Sequence, residues 1–506
     1  MTQKPTIFKS LAGSIIKGLP SKIYHRPHAP FLYFMNPSQS ADTPNPWGSL
    51  NAWLILLSCA GLLAIWPMPG TIALRHGLLT LGFIASLISL LGHKKAIFSL
   101  NTWPLWIFLG FYLWLLVHLF FLSTDFDAQL YELGHLWMRC LMAIPLGLAL
   151  SLMLVKPKTT HPQIETEVRK DDAWQNSCIL LILIGFAGTC LIGFARFSYE
   201  MWHNRQWMFD QIYFLYFFYK AKPPFVICTA LAAPLSFILI IRGINRQMSR
   251  WWIAPGILIL ALCIFGDYFS NTKNGIAIFV LCLSVFVINL VLRIKWSWEK
   301  IILALLISIV IASFSFAGIK KHLEKNTAWA QMIADVQISA DIQHQNWWKD
   351  DKVGSVPTNS QGRPVDGSTY QRTAWFVSGV QLLIENPLGY GLVHHSFGAL
   401  AAQKWSDFSK PLGNMRGATH SGWLDFALGV GIPGLLLVLI PLFVSWYRSL
   451  HQEGLWFSYA AWTIPIMSFA YLTTEANEAH FIELLFFMTA FFCGITLRYP
   501  AKRIKS

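Results

Sequence analysis

The chain has 506 residues, 55% of them hydrophobic and only 13% charged, and its mean hydropathy is +0.47. A water-soluble domain carries about a quarter charged residues, so this composition excludes most soluble folds. Lysine and arginine exceed the acidic residues to give a net charge of +14; most of that charge flanks apolar runs, which implies anionic lipid rather than nucleic acid as its partner.

Apolar runs of about twenty residues have the length needed to cross a hydrocarbon layer. They fall at 50–68, 71–92, 102–123, 131–155, 177–196, 224–242, 251–266, 275–292, 301–317, 422–446, 455–473 and 480–498. The sequence therefore predicts an all-α polytopic membrane protein of about twelve transmembrane helices. Segments 1–50, 93–100, 156–176, 242–250, 293–300, 447–454 and 498–506 hold 22 of the 39 lysines and arginines. The short opposite connections near 67–70, 124–130, 267–274 and 474–479 hold Lys273 alone. Positive charge is retained in the cytoplasm, so both termini are expected there.

The expected organisation is a cytoplasmic tail at 1–49, spans one to nine at 50–317, one large helical external loop at 318–421, spans ten to twelve at 422–498 and a short cytoplasmic tail at 499–506. The external segments 196–223 and 318–421 carry four and ten basic residues; the longer translocates largely regardless of charge, while the shorter counts slightly against this orientation. The N-terminal tail lacks the apolar core of a signal peptide and reads as an interfacial amphipathic helix or a disordered tail. All eight cysteines lie in or at the ends of apolar runs. Neither zinc-type Cys/His spacing nor a phosphate-binding GxxxxGK[ST] loop occurs, so no metal or nucleotide cofactor is expected.

The loop opens with a predicted helix, HLEKNTAWAQMIADVQ from His322, whose apolar residues approximate one face. The polar stretch from Lys349 to Gly367 reads as a mobile linker. A second amphipathic helix is predicted from Thr369 to Glu385, ended by Asn386 and Pro387, with the glycines of NPLGYG permitting a tight turn. The chain then re-enters the membrane through GNMRGATHSGWLDFALGVGIPGLLL.

R-x-x-W in RTAWFVSGVQLLIENPLGYGL, followed by HSGWLDFALGVGIPG at the head of the next span, resembles the O-antigen ligase and polymerase family of bacterial envelope glycosyltransferases. The motifs cover residues 372–440, and within the family the pattern is most similar to the ligases. The resemblance implies a GT-C-like enzyme of the bacterial inner membrane that moves a glycan from undecaprenyl diphosphate to a lipid A-core sugar. It implies a periplasmic active site and an inverting, metal-independent reaction. The family's histidine matches His420 and its loop arginine matches Arg372. A third basic position, usually arginine, falls here on Lys273, and lysine offers a point charge where arginine offers a planar fork. The same donor would serve an O-antigen polymerase or a protein O-oligosaccharyltransferase.

The residues themselves suit this chemistry. A sugar hydroxyl is a poor nucleophile and needs a base within hydrogen-bond reach. His420 precedes a helix that Thr419 or Ser421 can cap, and the positive end of the helix dipole favours a neutral imidazole. A departing diphosphate needs fixed cations, for which Arg372, Arg416, Lys273, Arg196 and Arg205 are candidates. His394 and His395 are candidates for acceptor sugar or lipid phosphate, with a solvated pair as the alternative.

Arg416 also suits a membrane-surface anchor. Asp425 either orients His420 or sits favourably in the first helical turn. Arg139, inside a span, is expected to face the bundle interior and to meet Glu132 or a lipid phosphate, or to serve a structural ion pair. Asp267 reads as a partner of Lys273 or a solvated turn residue. An anionic-lipid or solute transporter is the rival class, but it would place polar groups near mid-membrane in paired broken helices.

Overall fold

The computed structural model describes residues 46–155, 165–205, 222–293, 327–349, 355–408 and 417–497, except positions 69, 271 and 395. In chain order the main helices are α1 (Pro46–Ile65), α2 (Ile72–Leu91), α3 (Trp103–Phe121), α4 (Phe126–Leu154), α5 (Glu165–Asn204), α6 (Pro223–Ile244), α7 (Ile253–Phe269), α8 (Lys273–Arg293), α9 (Thr327–Ala340), α10 (Gly367–Glu385), α11 (Ser396–Lys404), α12 (Gly422–Leu450), α13 (Leu455–Thr473) and α14 (Ala479–Leu497). Extended pairing among the described residues is limited to one bridge, between Thr358 and Pro364.

Eight of the described helices are long and apolar enough to cross a membrane, and α1 and α8 contribute shorter apolar segments. The chain is a multi-pass, all-α membrane protein. Eleven of the twelve expected runs coincide with a helix, whereas the ninth, 301–317, lies outside the described residues. Of the eleven, α13 is neither among the eight apolar spans nor among the shorter apolar segments: Ser458, Thr463, Ser468 and Thr473 interrupt its apolar residues.

The helices α6 and α14 are the most deeply enclosed, while α2 is largely peripheral. Between α4 and α14 the packing leaves no room for a side chain at Gly147, where a Cβ would stand 2.3 Å from the Phe487 carbonyl. Small residues allow such close backbone approach, which is how helices gain contact in a lipid solvent. An aromatic layer of Phe111, Trp137, Phe426 and Phe486 joins α3, α4, α12 and α14, with Phe111 centred 5.1 Å from both Trp137 and Phe486.

Arg139 does face the interior, but its partner is not Glu132. Its Nε donates to Glu483 Oε1 at 2.5 Å, and the other Glu483 oxygen accepts from Trp66 Nε1 at 3.0 Å. A carboxylate with two directed donors is the arrangement that makes a buried charge tolerable. Glu132 instead accepts the backbone N–H of Val393 at 3.1 Å. That bond ties α4 to the segment after the NPLGYG turn.

The segment between the eighth and tenth expected spans builds its own small core from Ile342, Trp348, Tyr370, Trp375, Phe397 and Phe408, closed below by Leu424 and Leu428 of α12. Trp375 Nε1 donates to the Trp348 carbonyl at 3.0 Å. Residues 355–366 are a folded turn rather than the expected linker. Asn359 donates to the buried Asp335 carboxylate at 2.8 Å, and the amide N–H of Asp366 donates to its other oxygen at 3.1 Å. An internal carboxylate that accepts from both ends of a turn fixes polar sequence that composition alone reads as loose. The stretch 350–354 and the start of the first predicted loop helix, 322–326, lie outside the described residues.

The span α12 is broken, and the NPLGYG segment fills the break. Gly431 adopts φ 74°, ψ 173°, a left-handed φ open to glycine at little cost. Its neighbours on both sides pair with the turn: Tyr390 N–H donates to Leu428 O at 2.8 Å, Gly391 N–H to Gly429 O at 2.7 Å, and Ile432 N–H to Pro387 O at 2.8 Å. Trp114 Nε1 takes the Val430 carbonyl at 2.7 Å. Irregular backbone inside a membrane layer survives only where protein satisfies its polar groups, and here two irregular segments satisfy each other.

Candidate active site

The chain enters α12 through Thr419, His420 and Ser421. His420 adopts φ 59°, a conformation that costs a non-glycine residue about 1 kcal/mol or more and persists only when neighbours over-determine it. They do so here. Thr419 N–H donates to Asp425 Oδ1 at 2.7 Å, Ser421 N–H donates to Thr419 Oγ1 at 3.3 Å, and Gly422 N–H donates to the Thr474 carbonyl at 2.9 Å. Neither expected side-chain cap is made: Ser421 stands at the N-cap without a side-chain bond, and Thr419 Oγ1 accepts from Ser421 ahead of the helix. Asp425 grips the backbone just before His420 rather than the imidazole.

The imidazole itself is held by residues from two other elements. Its Nδ1 lies 2.5 Å from Glu475 Oε2, and its ring lies against Trp375 of α10, with centroids 5.2 Å apart and planes 17° apart. With the Nδ1–H donated to the carboxylate, Nε2 is the nitrogen left to accept a proton. The side chains of His420 and Glu475 remain 22% and 32% exposed, so the site is open to an incoming group. Gly379, one turn past Trp375, permits the close contact of α10, since a Cβ there would stand 2.7 Å from Thr419 and 2.9 Å from Leu424.

Two cations from other elements, Lys273 at the start of α8 and Arg372 on α10, bear on Lys222 before α6. Burial pushes the Lys222 ammonium below its usual range, and the charges of Arg372 and Lys273 push it further. Clustered like charges are unfavourable without an anion between them. The turn that presents Lys273 is fixed by Asp267, which is buried and accepts from Thr229 Oγ1 at 2.7 Å and Thr272 Oγ1 at 3.0 Å. Asp267 is therefore not the solvated turn residue that sequence suggested; it organises the turn from inside. Burial and the nearby Glu475 charge push Glu478 above the usual carboxylate range.

Residues 258–439 match the model of the family described as O-antigen ligase. No curated protein matches the chain.

The matched region runs from within α7 to the middle of α12 and so includes Lys273, Arg372 and His420, while Lys222 and Glu475 lie outside it. Other predicted residues fall elsewhere. Arg196 is exposed, pairs with Glu200 at 3.5 Å and lies over Tyr199. Arg205 ends α5 with φ 51°. His394 is half-buried next to Val393, whose N–H meets Glu132. Arg139 is committed to Glu483 inside the bundle. Arg416 and His395 lie outside the described residues.

Glu475, Lys222 and the stacking role of Trp375 escaped the sequence reading. The signal for Glu475 was present as carboxylates in an otherwise charge-poor connection, TTEANEAH, facing a motif histidine from two spans away.

Proposed function

We propose that the protein is a membrane glycosyltransferase, an O-antigen ligase that transfers a glycan from undecaprenyl diphosphate to a sugar hydroxyl of lipid A-core. The observation that carries the reading is the His420–Glu475 pair, stacked on the helix that bears Arg372. In this reading the chain has twelve spans in a GT-C-like arrangement, both termini in the cytoplasm and the site at the periplasmic face of the inner membrane. The distribution of lysine and arginine supports that orientation.

The acceptor hydroxyl gives its proton to His420 Nε2 as its oxygen bonds to the anomeric carbon. Glu475 holds the ring in position and stabilises the imidazolium that forms. The bond from the anomeric carbon to the diphosphate oxygen breaks on the opposite face, and its electron pair leaves with the diphosphate. Lys222, Lys273 and Arg372 take up that charge, with Arg372 able to grip two oxygens at once. One displacement inverts the anomeric centre. Because diphosphate is already a good leaving group, the reaction needs no separate acid.

The test is reconstitution of the full chain in vesicles with undecaprenyl-diphosphate-linked glycan and one acceptor at a time: lipid A-core, a second lipid-linked glycan, or a pilin-like protein. Glycan on lipid A-core without added nucleotide or divalent metal is the expected result. Extension of the lipid-linked glycan would make the protein a polymerase, and glycan on serine or threonine a protein oligosaccharyltransferase. Movement of lipid across the bilayer with no new glycosidic bond would overturn the enzyme reading.

A further inference from the structure

A cavity of about 310 Å³ opens at the end of the bundle opposite His420. The ends of α4 and α6, the start of α13 and residues 174–179 of α5 enclose it. Helix α13 runs from Leu455 at the cavity to Thr473, two residues before Glu475, a length of about 27 Å at the helical rise per residue. A hydrocarbon layer is about 30 Å thick, so the cavity and His420 lie at opposite boundaries of the layer that the bundle crosses.

The lining is mixed. Trp174 and Trp456 supply aromatic surface, Gln175 and Gln247 supply amides, and Arg242 and Glu453 supply one charge of each sign. Trp456 is only 7% exposed, yet among the described residues no protein acceptor meets its indole N–H. Buried indoles elsewhere in the bundle are satisfied: Trp66 donates to Glu483, Trp252 to Asn176 and Trp423 to the Ser468 carbonyl. A buried N–H left without a protein acceptor on a cavity wall points to an acceptor inside the cavity.

An aromatic pair connects this cavity to the outer surface. Trp174 meets Trp53 of α1 edge-on, with ring centroids 4.9 Å apart. Leu50, Trp53 and Leu57 are all exposed, and their spacing sets them in one apolar stripe on α1. Trp66, just past the far end of α1, donates to Glu483 near the start of α14, so α1 runs from the cavity's end of the bundle towards that of His420. The stripe thus descends from the cavity into the hydrocarbon, about 10 Å from Leu50 to Leu57. A polar recess continued by an exposed apolar stripe suits an amphipathic molecule better than a water-soluble one.

We propose that the cavity binds a phospholipid whose headgroup carries both a phosphate and a primary ammonium, as phosphatidylethanolamine does. The ammonium meets Glu453, the phosphate meets Arg242 and the Trp456 N–H, and one acyl chain leaves past Trp174 and Trp53 along Leu57. A primary ammonium offers three donors and a positive charge to the carboxylate. A glycerol headgroup brings no charge to offset Glu453, and a quaternary ammonium brings no N–H. The site is remote from His420, so it stands or falls independently of the glycosyltransferase reading.

The test uses the full-length protein in nanodiscs of phosphatidylcholine with a trace of phosphatidylethanolamine that bears a diazirine near the ester end of one acyl chain. Photolysis is expected to label residues 50–57 and 174–179, and unlabelled phosphatidylethanolamine should displace the label about tenfold better than phosphatidylglycerol. Equal displacement by the two lipids would overturn the headgroup assignment, and label spread evenly around the bundle would overturn the site. Displacement by water-soluble glycerophosphoethanolamine at the same concentration would make the ligand a soluble one and refute the lipid. Glu453 is exposed and makes no ion pair among the described residues, so Glu453→Gln leaves the fold intact. It is expected to cut the preference for phosphatidylethanolamine about fivefold. Trp456→Phe keeps the ring and removes the N–H; it should weaken phosphatidylethanolamine about threefold and leave the melting temperature in lipid-free detergent unchanged. Wild-type binding in either variant would contradict the proposed site.

Discussion

Replacing Glu475 by glutamine keeps a hydrogen-bond acceptor beside His420 Nδ1 and removes its charge. Charge-assisted hydrogen bonds contribute about 1.5–3 kcal/mol and neutral ones about 0.5–1.5 kcal/mol, so the difference is about 1 kcal/mol. Because the two side chains are 22% and 32% exposed, solvent screening places the effect at the low end of that range. At about 1.4 kcal/mol per tenfold in rate, kcat should fall about fivefold in Glu475→Gln. Glu475→Ala also removes the bond that aims the ring, which Trp375 alone restrains in one plane, and kcat should fall about a hundredfold. The assay is the initial rate of glycan transfer in proteoliposomes with both substrates saturating, beside donor KM and thermal stability. Donor KM should stay within about twofold, since the role proposed for Glu475 is on the imidazole. Wild-type kcat in Glu475→Ala would show that the carboxylate has no part in the reaction. A loss of kcat fully explained by unfolded protein would assign it a structural role only.

Arg372→Gln should raise the KM for donor while leaving the thermal stability of the unliganded protein unchanged or higher, because it relieves the repulsion that pushes the Lys222 ammonium down. A lowered melting temperature with unaltered donor kinetics would make Arg372 a structural cation. In the bundle, Glu483→Gln strips the partner from Arg139 and should cost about 3 kcal/mol of stability, read as a shift in the denaturation midpoint. Arg139→Met combined with Glu483→Leu should recover most of that loss, and equal losses in the single and double variants would refute a buried ion pair.

What the sequence made legible is what depends on neighbours along the chain. Apolar runs record burial in lipid residue by residue, so α2, α3, α6 and α14 fall within a few residues of their expected limits. The stop at Asn386 and Pro387 was readable for the same reason, since proline cannot continue a helix. The depth of NPLGYG was not readable, because it follows from backbone pairing with Leu428, Gly429 and Ile432 of α12, some forty residues further along the chain. Arg139 illustrates the limit more sharply: Glu132 was the nearest acid in sequence, yet the acid that meets it is 344 residues away. His420 was visible through its motif and Glu475 was not, because two spans separate them and only the packing of α12 and α13 brings the 474–475 backbone beside Gly422. Asp335 and Asp267 belong to the same class. Each looks like a surface acid in one dimension and is an internal acceptor in three.

The most direct measurement is glycan transfer by wild type and His420→Ala, side by side, in vesicles holding undecaprenyl-diphosphate-linked glycan and lipid A-core. Wild type should glycosylate the lipid A-core, and the variant should lose at least about a hundredfold in kcat while still capturing the polyprenyl diphosphate. Transfer by the variant at the wild-type rate would contradict the proposed role of the imidazole as the base.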